Sequence, residues 1–133
     1  MSLSSQQIEG FMKKYKGNGR QIIQFPERNP TTLYCVLYTA QDNTLSIMIV
    51  LTQGVKPHFH VGSTENYQLL SGELILKKNE SGVPHTHHMR LGEFAIVGPG
   101  VVHSTCAINS PAELLVVSKP AWCIDNHHVQ DSE

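Results

Sequence analysis

The sequence predicts an all-β protein, a double-stranded β-helix or jelly-roll barrel with one N-terminal helix. About nine or ten short apolar segments follow one another closely, separated by Gly, Pro and Asn residues, which is typical of a β-sandwich or barrel. Charged residues make up 16% of the 133 residues, whereas about 25% is usual in globular domains. This low charge favours a β-rich chain, and the length suggests one domain.

One segment, Ser4 to Lys16, has the periodicity of a helix. Ser4 can cap it, and Gln7 three residues later completes a capping box. Its apolar stripe has i, i+3, i+4 and i+7 spacing and comprises Ile8, Phe11, Met12 and Tyr15. We expect this helix to cover the outside or the mouth of the barrel, and a dimer contact is the alternative.

The chain is expected to divide into three regions: an N-terminal helix and arm at 1–30, the barrel at 31–120 and a C-terminal tail at 121–133. The tail is mostly polar. We expect Trp122 to pack on the barrel wall or on a partner. His127 and His128 are expected to lie in a mobile end, exposed to solvent rather than bound as ligands.

Composition argues against several classes of protein. The formal net charge is −1, so no strong field would attract nucleic acid or a membrane surface. No apolar run reaches the ~18 residues of a membrane span, and the N-terminus lacks the pattern of a secretory signal. The cysteines (Cys35, Cys106 and Cys123) are odd in number and widely spaced, which favours reduced thiols in a cytoplasmic protein. Cys106 would face away from His103 on a regular strand, which argues against a catalytic thiol.

The chemistry-bearing residues concentrate in two stretches. The first, from Gly54 to Gly72, contains His58, His60 and Glu65, and the second runs from Gly92 to His103. His58 and His60 share one face of an extended strand because side chains alternate along it. Imidazole and carboxylate together suit a divalent transition metal: Fe, Mn, Ni, Cu or Zn.

The first stretch resembles the first motif of the cupin superfamily, which runs Gly, a spacer, His-x-His, Glu and Gly. Here His58, His60, Glu65 and Gly72 match it, while Gly54 stands closer to His58 than is usual. The resemblance extends over roughly residues 45 to 118 and implies a jelly-roll barrel that is often a homodimer.

The second stretch resembles the second cupin motif. Gly92, Gly100 and His103 match it, Gly98 stands where Pro is usual, and Ala107 stands where Asn is usual. Neither departure removes a ligand. The resemblance therefore implies a metal site formed by His58, His60, Glu65 and His103, the alternative being histidines that are merely hydrogen-bonded interior residues.

A further histidine cluster lies between the motifs at His85, His87 and His88. His85 and His87 are two residues apart and could hold a metal. No nearby carboxylate or fourth ligand is obvious, and this segment is a variable hairpin in cupins. We expect no second metal site here.

The leading functional hypothesis is a metalloenzyme that acts on a small organic molecule. The ligand set resembles that of cupin dioxygenases and of some sugar isomerases, with Glu65 and Tyr67 as candidate catalytic residues. Core packing is the alternative role for Tyr67. The pocket is expected to be apolar, lined by Leu69, Phe94 and Ile96 among others, with Lys56 the only cation near it, which favours an uncharged substrate and an oxidative reaction. The alternatives are a non-catalytic binding module and a metal-dependent isomerase or epimerase.

Overall fold

The computed structural model describes residues 1–17 and 19–129. In this part the chain forms one α-helix, eleven strands and one short 3₁₀ helix. Their bounds are α1 (Ser5–Tyr15), β1 (Ile22–Phe25), β2 (Thr32–Thr39), β3 (Ser46–Thr52), β4 (Gly54–Phe59), β5 (Thr64–Ser71), β6 (Leu74–Glu80), β7 (Val83–Met89), β8 (Phe94–Val97), β9 (Val102–Ala107), β10 (Ala112–Lys119), the 3₁₀ helix (Ile124–Asn126) and β11 (His128–Val129). The predicted all-β jelly-roll class with one N-terminal helix is confirmed.

The strands form two antiparallel sheets. The six-stranded sheet has the order β1-β2-β3-β10-β5-β8, and the five-stranded sheet has the order β11-β4-β9-β6-β7. In the five-stranded sheet β4 and β9 are neighbours, and His58 lies directly opposite His103. Glu65 belongs to β5 of the other sheet, where it pairs with Val97 of β8. The candidate ligands thus come from both walls of the barrel.

An apolar core fills the space between the sheets. Its most deeply buried side chains are Leu69, Leu74, Leu76 and Met89, each 0% exposed. Burying a Leu or Met side chain contributes about 1.5–3 kcal/mol. The core therefore fixes the two sheets around the candidate site, which occupies the same interior.

The N-terminal helix covers the outer face of the six-stranded sheet, as expected. Ser4 caps it through its side chain, and Gln7 completes the capping box. Phe11 is buried in a second cluster that includes Leu33 and Leu51 of the sheet. The apolar stripe of the helix thus packs on the barrel of its own chain.

The apolar strand β8 is oriented differently from the expectation. Phe94 is 68% exposed and Ile96 is 58% exposed, whereas Ala95 and Val97 point into the barrel. The expected placement of Phe94 and Ile96 in the pocket is therefore wrong. All four residues of this strand are apolar, so their alternation along the sequence carries no information on which face is buried.

The C-terminal tail folds back onto the barrel. The Trp122 ring stacks on Tyr34, with ring centroids 4.6 Å apart, and β11 adds to the edge of β4. Trp122 therefore packs on the barrel wall, one of its two expected positions. In the described residues, no helix is long and apolar enough to cross a membrane.

Candidate metal centre

Three histidines converge inside the barrel. His58 lies on β4, His60 follows directly after the end of that strand, and His103 lies on β9. All three are buried, at 1–5% exposure, and one ring nitrogen from each lies within 4.8 Å of those of the other two. The alternation of side chains along β4 and the register between β4 and β9 together produce this arrangement.

A backbone carbonyl fixes the orientation of each imidazole. Nδ1 lies 2.9 Å from the Lys56 oxygen in His58, 2.8 Å from the Asn126 oxygen in His60 and 2.9 Å from the Val101 oxygen in His103. Because a carbonyl oxygen only accepts, Nδ1 must carry the proton in each ring. In a neutral ring with the proton on Nδ1, Nε2 keeps a free lone pair, and this is the tautomer that a metal-binding histidine needs.

Glu65 lies beside two of these nitrogens. Its Oε1 atom is 3.5 Å from Nε2 of His60 and 3.6 Å from Nε2 of His103, and the carboxylate is almost completely buried. The Tyr67 hydroxyl donates a 2.8 Å hydrogen bond to the same oxygen. The structure thus brings together all four predicted ligands and the predicted catalytic Tyr67.

The interior environment shifts the pKa values of these groups. Burial lowers the pKa of His58 to about 3, and burial also lowers the pKa of His60. Burial alone would raise the pKa of Glu65, but the nearby His103 and His60 and the Tyr67 hydrogen bond hold it below its ordinary value. Burial and the adjacent carboxylate raise the pKa of Tyr67. At neutral pH His58 and His60 are therefore neutral, Glu65 is ionised and Tyr67 is protonated.

These residues fit a divalent metal ion. Nε2 of His103 is buried and has no hydrogen-bond partner among the described residues, and an orphaned buried nitrogen is costly unless something binds it. Three imidazoles and one carboxylate form a set suited to first-row transition metals. Deprotonated ligands are also what metal binding requires.

The two departures from the second cupin motif leave the site intact. In the turn with Gly98 in place of Pro, the Gly100 amide donates a 2.8 Å hydrogen bond to the His60 carbonyl. Gly100 has a φ of +72°, a conformation that glycine adopts readily. Ala107, in place of Asn, is a buried residue at the end of β9 whose amide donates to the Gln53 carbonyl.

His127 lies against the centre, so the expectation that it faces solvent is wrong. Its ring stacks on that of His58 with centroids 4.0 Å apart and planes 6° apart. Neither ring nitrogen has a partner among the described residues, and burial lowers its pKa to about 4. The sequence offered no local signal for this contact, because His127 lies in a polar segment without strand or helix periodicity.

Two cavities adjoin the site. A small internal cavity of ≈ 30 Å³ is lined by His58, His60 and Glu65 together with apolar side chains. A larger cavity of ≈ 800 Å³ is lined in part by Val55, Thr105 and His127. Val55 and Thr105 line both cavities, so the larger one is next to the centre. The expected cation, Lys56, lies at the larger cavity.

The second histidine cluster does not assemble into a metal site. Among the described residues, the one group that meets the geometry of a metal site is that of His58, His60 and His103. Carboxylates do lie near the others, contrary to expectation, but each histidine has its own. The pairs are His85 with Glu80 at 3.5 Å, His87 with Glu93 at 3.9 Å and His88 with Glu73 at 2.8 Å.

Cys106 is exposed, as expected for a residue that faces away from His103. Cys35 is buried, and Cys123 is exposed. All three are free thiols. None of them belongs to the histidine cluster.

No family model matches the sequence, and no curated protein matches it. Solved structures do match. The chain is similar to an Fe(II) form of hydroxypropylphosphonic acid epoxidase, HppE, with 20% identity and a TM-score of 0.67 over 77% of this chain and 57% of that chain. The chain thus spans just over half the length of the epoxidase.

Two other similar structures match over most of their own length. KdgF from Halomonas sp. has 10% identity and a TM-score of 0.65, over 80% of this chain and 93% of that chain. Pac13, described as a nucleoside dehydratase, has 16% identity and a TM-score of 0.68, over 90% of this chain and 92% of that chain. The chain therefore has the cupin fold of these structures, and its barrel contains a cluster of three buried histidines that could hold a metal ion.

Proposed function

We propose that this protein is a metal-dependent enzyme that acts on a small organic molecule in a dioxygenase-like reaction. The observation that carries the proposal is the convergence of three Nε2 atoms beside the Glu65 carboxylate, with every Nδ1 atom already occupied by a carbonyl. His58, His60, Glu65 and His103 would hold the metal. A metal bound there supplies a Lewis acid or a centre that binds dioxygen.

Glu65 and Tyr67 would take part in proton transfer and in orienting the carboxylate. Glu65 is ionised and accepts a hydrogen bond from Tyr67 at Oε1, so its other oxygen could act as a base toward a substrate C–H or O–H group when the carboxylate leaves the metal. Tyr67 keeps its proton at neutral pH, so it would continue to donate to the carboxylate and orient it. Both residues are buried, which keeps bulk water away from these proton transfers.

The volumes of the two cavities suit a substrate of small-molecule size. The internal cavity of ≈ 30 Å³ has room for little more than a water molecule, whose share of liquid volume is about 30 Å³. The adjoining cavity of ≈ 800 Å³ lies within the usual range of about 300–1,000 Å³ for ligand pockets. We therefore place the body of the substrate in the larger cavity, with its reacting end toward the metal centre.

Two lines of support favour oxidative chemistry with iron. The walls of the small cavity, including Met48, Val50 and Val116, carry no Lys or Arg side chain among the described residues, which favours an uncharged reacting end, while Lys56 at the larger cavity is the nearby cation. The similar epoxidase structure is that of an Fe(II) form.

A second candidate is a non-redox reaction such as dehydration, isomerisation or epimerisation. Pac13, a nucleoside dehydratase, matches almost the full length of both chains. The buried Glu65–Tyr67 pair provides a base and its positioning partner, which such a reaction also needs.

The choice of metal separates these candidates. Metal-free protein would be reloaded with Fe(II), Mn(II) or Zn(II) and assayed against enols, diols and nucleosides, with oxygen uptake and product formation recorded in parallel. Oxygen uptake with Fe(II) but not Zn(II) supports the dioxygenase-like reaction. Turnover with Zn(II) and without oxygen uptake supports the non-redox reaction. Ligand binding without turnover for every metal would overturn both and leave a binding module.

A further inference from the structure

The C-terminal strap, defined here as residues 123–129, lies directly on the candidate metal centre. It contains the 3₁₀ helix and β11, and β11 pairs with β4 so that Val129 lies opposite His58. The His127 ring of the strap stacks on the His58 ring at 4.0 Å and lies edge-on to the His60 ring at 5.7 Å. A segment that is distant in sequence from both cupin motifs therefore covers two of the candidate ligands.

The three ligand histidines differ in where their orienting carbonyls come from. His58 uses the carbonyl of Lys56 on its own strand, and His103 uses the carbonyl of Val101, the residue directly before its strand. His60 instead uses the carbonyl of Asn126, which lies 66 residues away in the chain. The orientation of His60 thus depends on the strap, whereas that of the other two is local.

The Asn126 side chain locks its own carbonyl in this position. Its Oδ1 atom accepts a 2.9 Å hydrogen bond from the Val61 amide, and its Nδ2 atom donates to the Val61 carbonyl and to the Ser63 hydroxyl, both at 3.0 Å. Ser63 is buried, at 5% exposure. Both the oxygen and the nitrogen of the Asn126 amide are therefore hydrogen-bonded, and these bonds join the strap to the segment between His60 and Glu65.

We propose that Asn126 is a positioning residue of the metal centre, acting through His60, and that the centre is complete only when the strap is docked. The inference rests on the proposed metal binding. The backbone carbonyl of Asn126 holds the Nδ1 proton of His60, so Nε2 faces the Glu65 carboxylate, 3.5 Å away, and would be available to a metal. Loss of such an outer contact typically lowers metal affinity by about 10–100-fold.

The test compares Asn126→Ala with Asp125→Ala in the full-length chain. Asp125 neighbours Asn126 in the 3₁₀ helix and is exposed, so its replacement controls for changes to the strap itself. Co(II) would be titrated into metal-free wild-type and variant proteins, at a temperature where circular dichroism shows all of them folded. The dissociation constant and the visible ligand-field spectrum would both be recorded.

Asn126→Ala keeps the backbone carbonyl but removes the side-chain bonds that hold it in place, so we expect Co(II) binding to weaken by about 10–100-fold and the ligand-field spectrum to change as His60 becomes less firmly oriented. Ser63→Ala removes one of the three side-chain bonds and should cause a smaller loss. Asp125→Ala should bind as the wild type does. A purely structural role for Asn126 would lower the unfolding temperature without altering the spectrum of the bound Co(II).

The outcomes separate this inference from the proposed function. If the wild type binds no Co(II), the proposed metal site itself fails. If the wild type binds Co(II) and Asn126→Ala binds it with equal affinity and the same spectrum, the metal site stands and the positioning role is overturned.

Discussion

The Tyr67 hydroxyl and the Glu65 carboxylate form a 2.8 Å hydrogen bond inside the barrel, with both side chains buried. Replacing Tyr67 by Phe leaves one carboxylate oxygen without this donor, which should cost about 1–3 kcal/mol in the free energy of unfolding of the metal-free protein. Urea denaturation measures this loss. Tyr34→Phe is the matched control, because Tyr34 is equally buried but is not hydrogen-bonded to Glu65. Equal stability of both variants would contradict the importance of the Tyr67–Glu65 bond.

Gly72, the last residue of the first motif, should not tolerate a side chain. Its φ is +82°, and an added Cβ would lie 3.2 Å from Cα of Ala112 and 3.3 Å from the carbonyl oxygen of Pro111. Gly92 has a similar φ of +84° but open space around it. The left-handed conformation costs a non-glycine residue about 1–2 kcal/mol, so Gly92→Ala should lose that amount and Gly72→Ala more. Thermal unfolding of the two variants measures the difference in stability that is due to the steric clash at Gly72. Equal losses of stability would contradict this clash.

The packing of the N-terminal helix should affect stability without affecting the metal site. Phe11 is 3% exposed against the outer face of the six-stranded sheet, and Phe→Ala replacements in cores cost about 3–5 kcal/mol. We expect Phe11→Ala to lower stability by that amount and to keep the metal affinity of the wild type at temperatures where it is folded. Lys13→Ala, on the exposed side of the helix, should be neutral. Loss of metal by folded Phe11→Ala protein would show that the helix supports the site.

The histidines of β7 should not contribute to metal binding. His85, His87 and His88 each lie next to a different glutamate and are at least 40% exposed at their side chains. A triple replacement by Ala should leave the metal content per chain unchanged in mass spectrometry. A fall in bound metal equal to one ion per chain would reveal a second site at this hairpin.

We propose that two copies of the chain form a homodimer through β8. This strand is an edge of the six-stranded sheet and exposes Phe94 and Ile96, whereas the helix and Trp122, earlier candidates for the contact, pack within the chain. Light scattering coupled to size exclusion should show a dimer that Phe94→Glu/Ile96→Glu converts to a monomer. Val83→Glu, at an exposed position on the other sheet, should leave it dimeric. A monomeric wild type would contradict the proposal.

Local patterns predicted much of the architecture. The capping box at Ser4 and Gln7 and the apolar stripe around Phe11 defined the helix within one residue at each end, because these signals involve neighbours in the sequence. The spacing of His58 and His60 placed them on one face, since side-chain alternation is a local property of a strand. The cupin motifs added His103, which no local rule would have joined to them.

The errors concern contacts that no local pattern encodes. Phe94 and Ile96 were misplaced because the whole of β8 is apolar, so its buried face depends on the pairing with β5. The position of His127 against the centre could not be predicted because the polar residues of the strap have no periodicity. Its position depends on hydrogen bonds from Asn126 to residues more than 60 positions away.

The central claim is that the three histidines and Glu65 bind a divalent metal. The most direct measurement is the metal content, by mass spectrometry, of untagged protein beside a His58→Ala/His103→Ala double variant, before and after reconstitution with metal. The account predicts about one transition-metal ion per chain in the wild type and none in the variant. No metal in the wild type after reconstitution, or equal metal in both proteins, would contradict it.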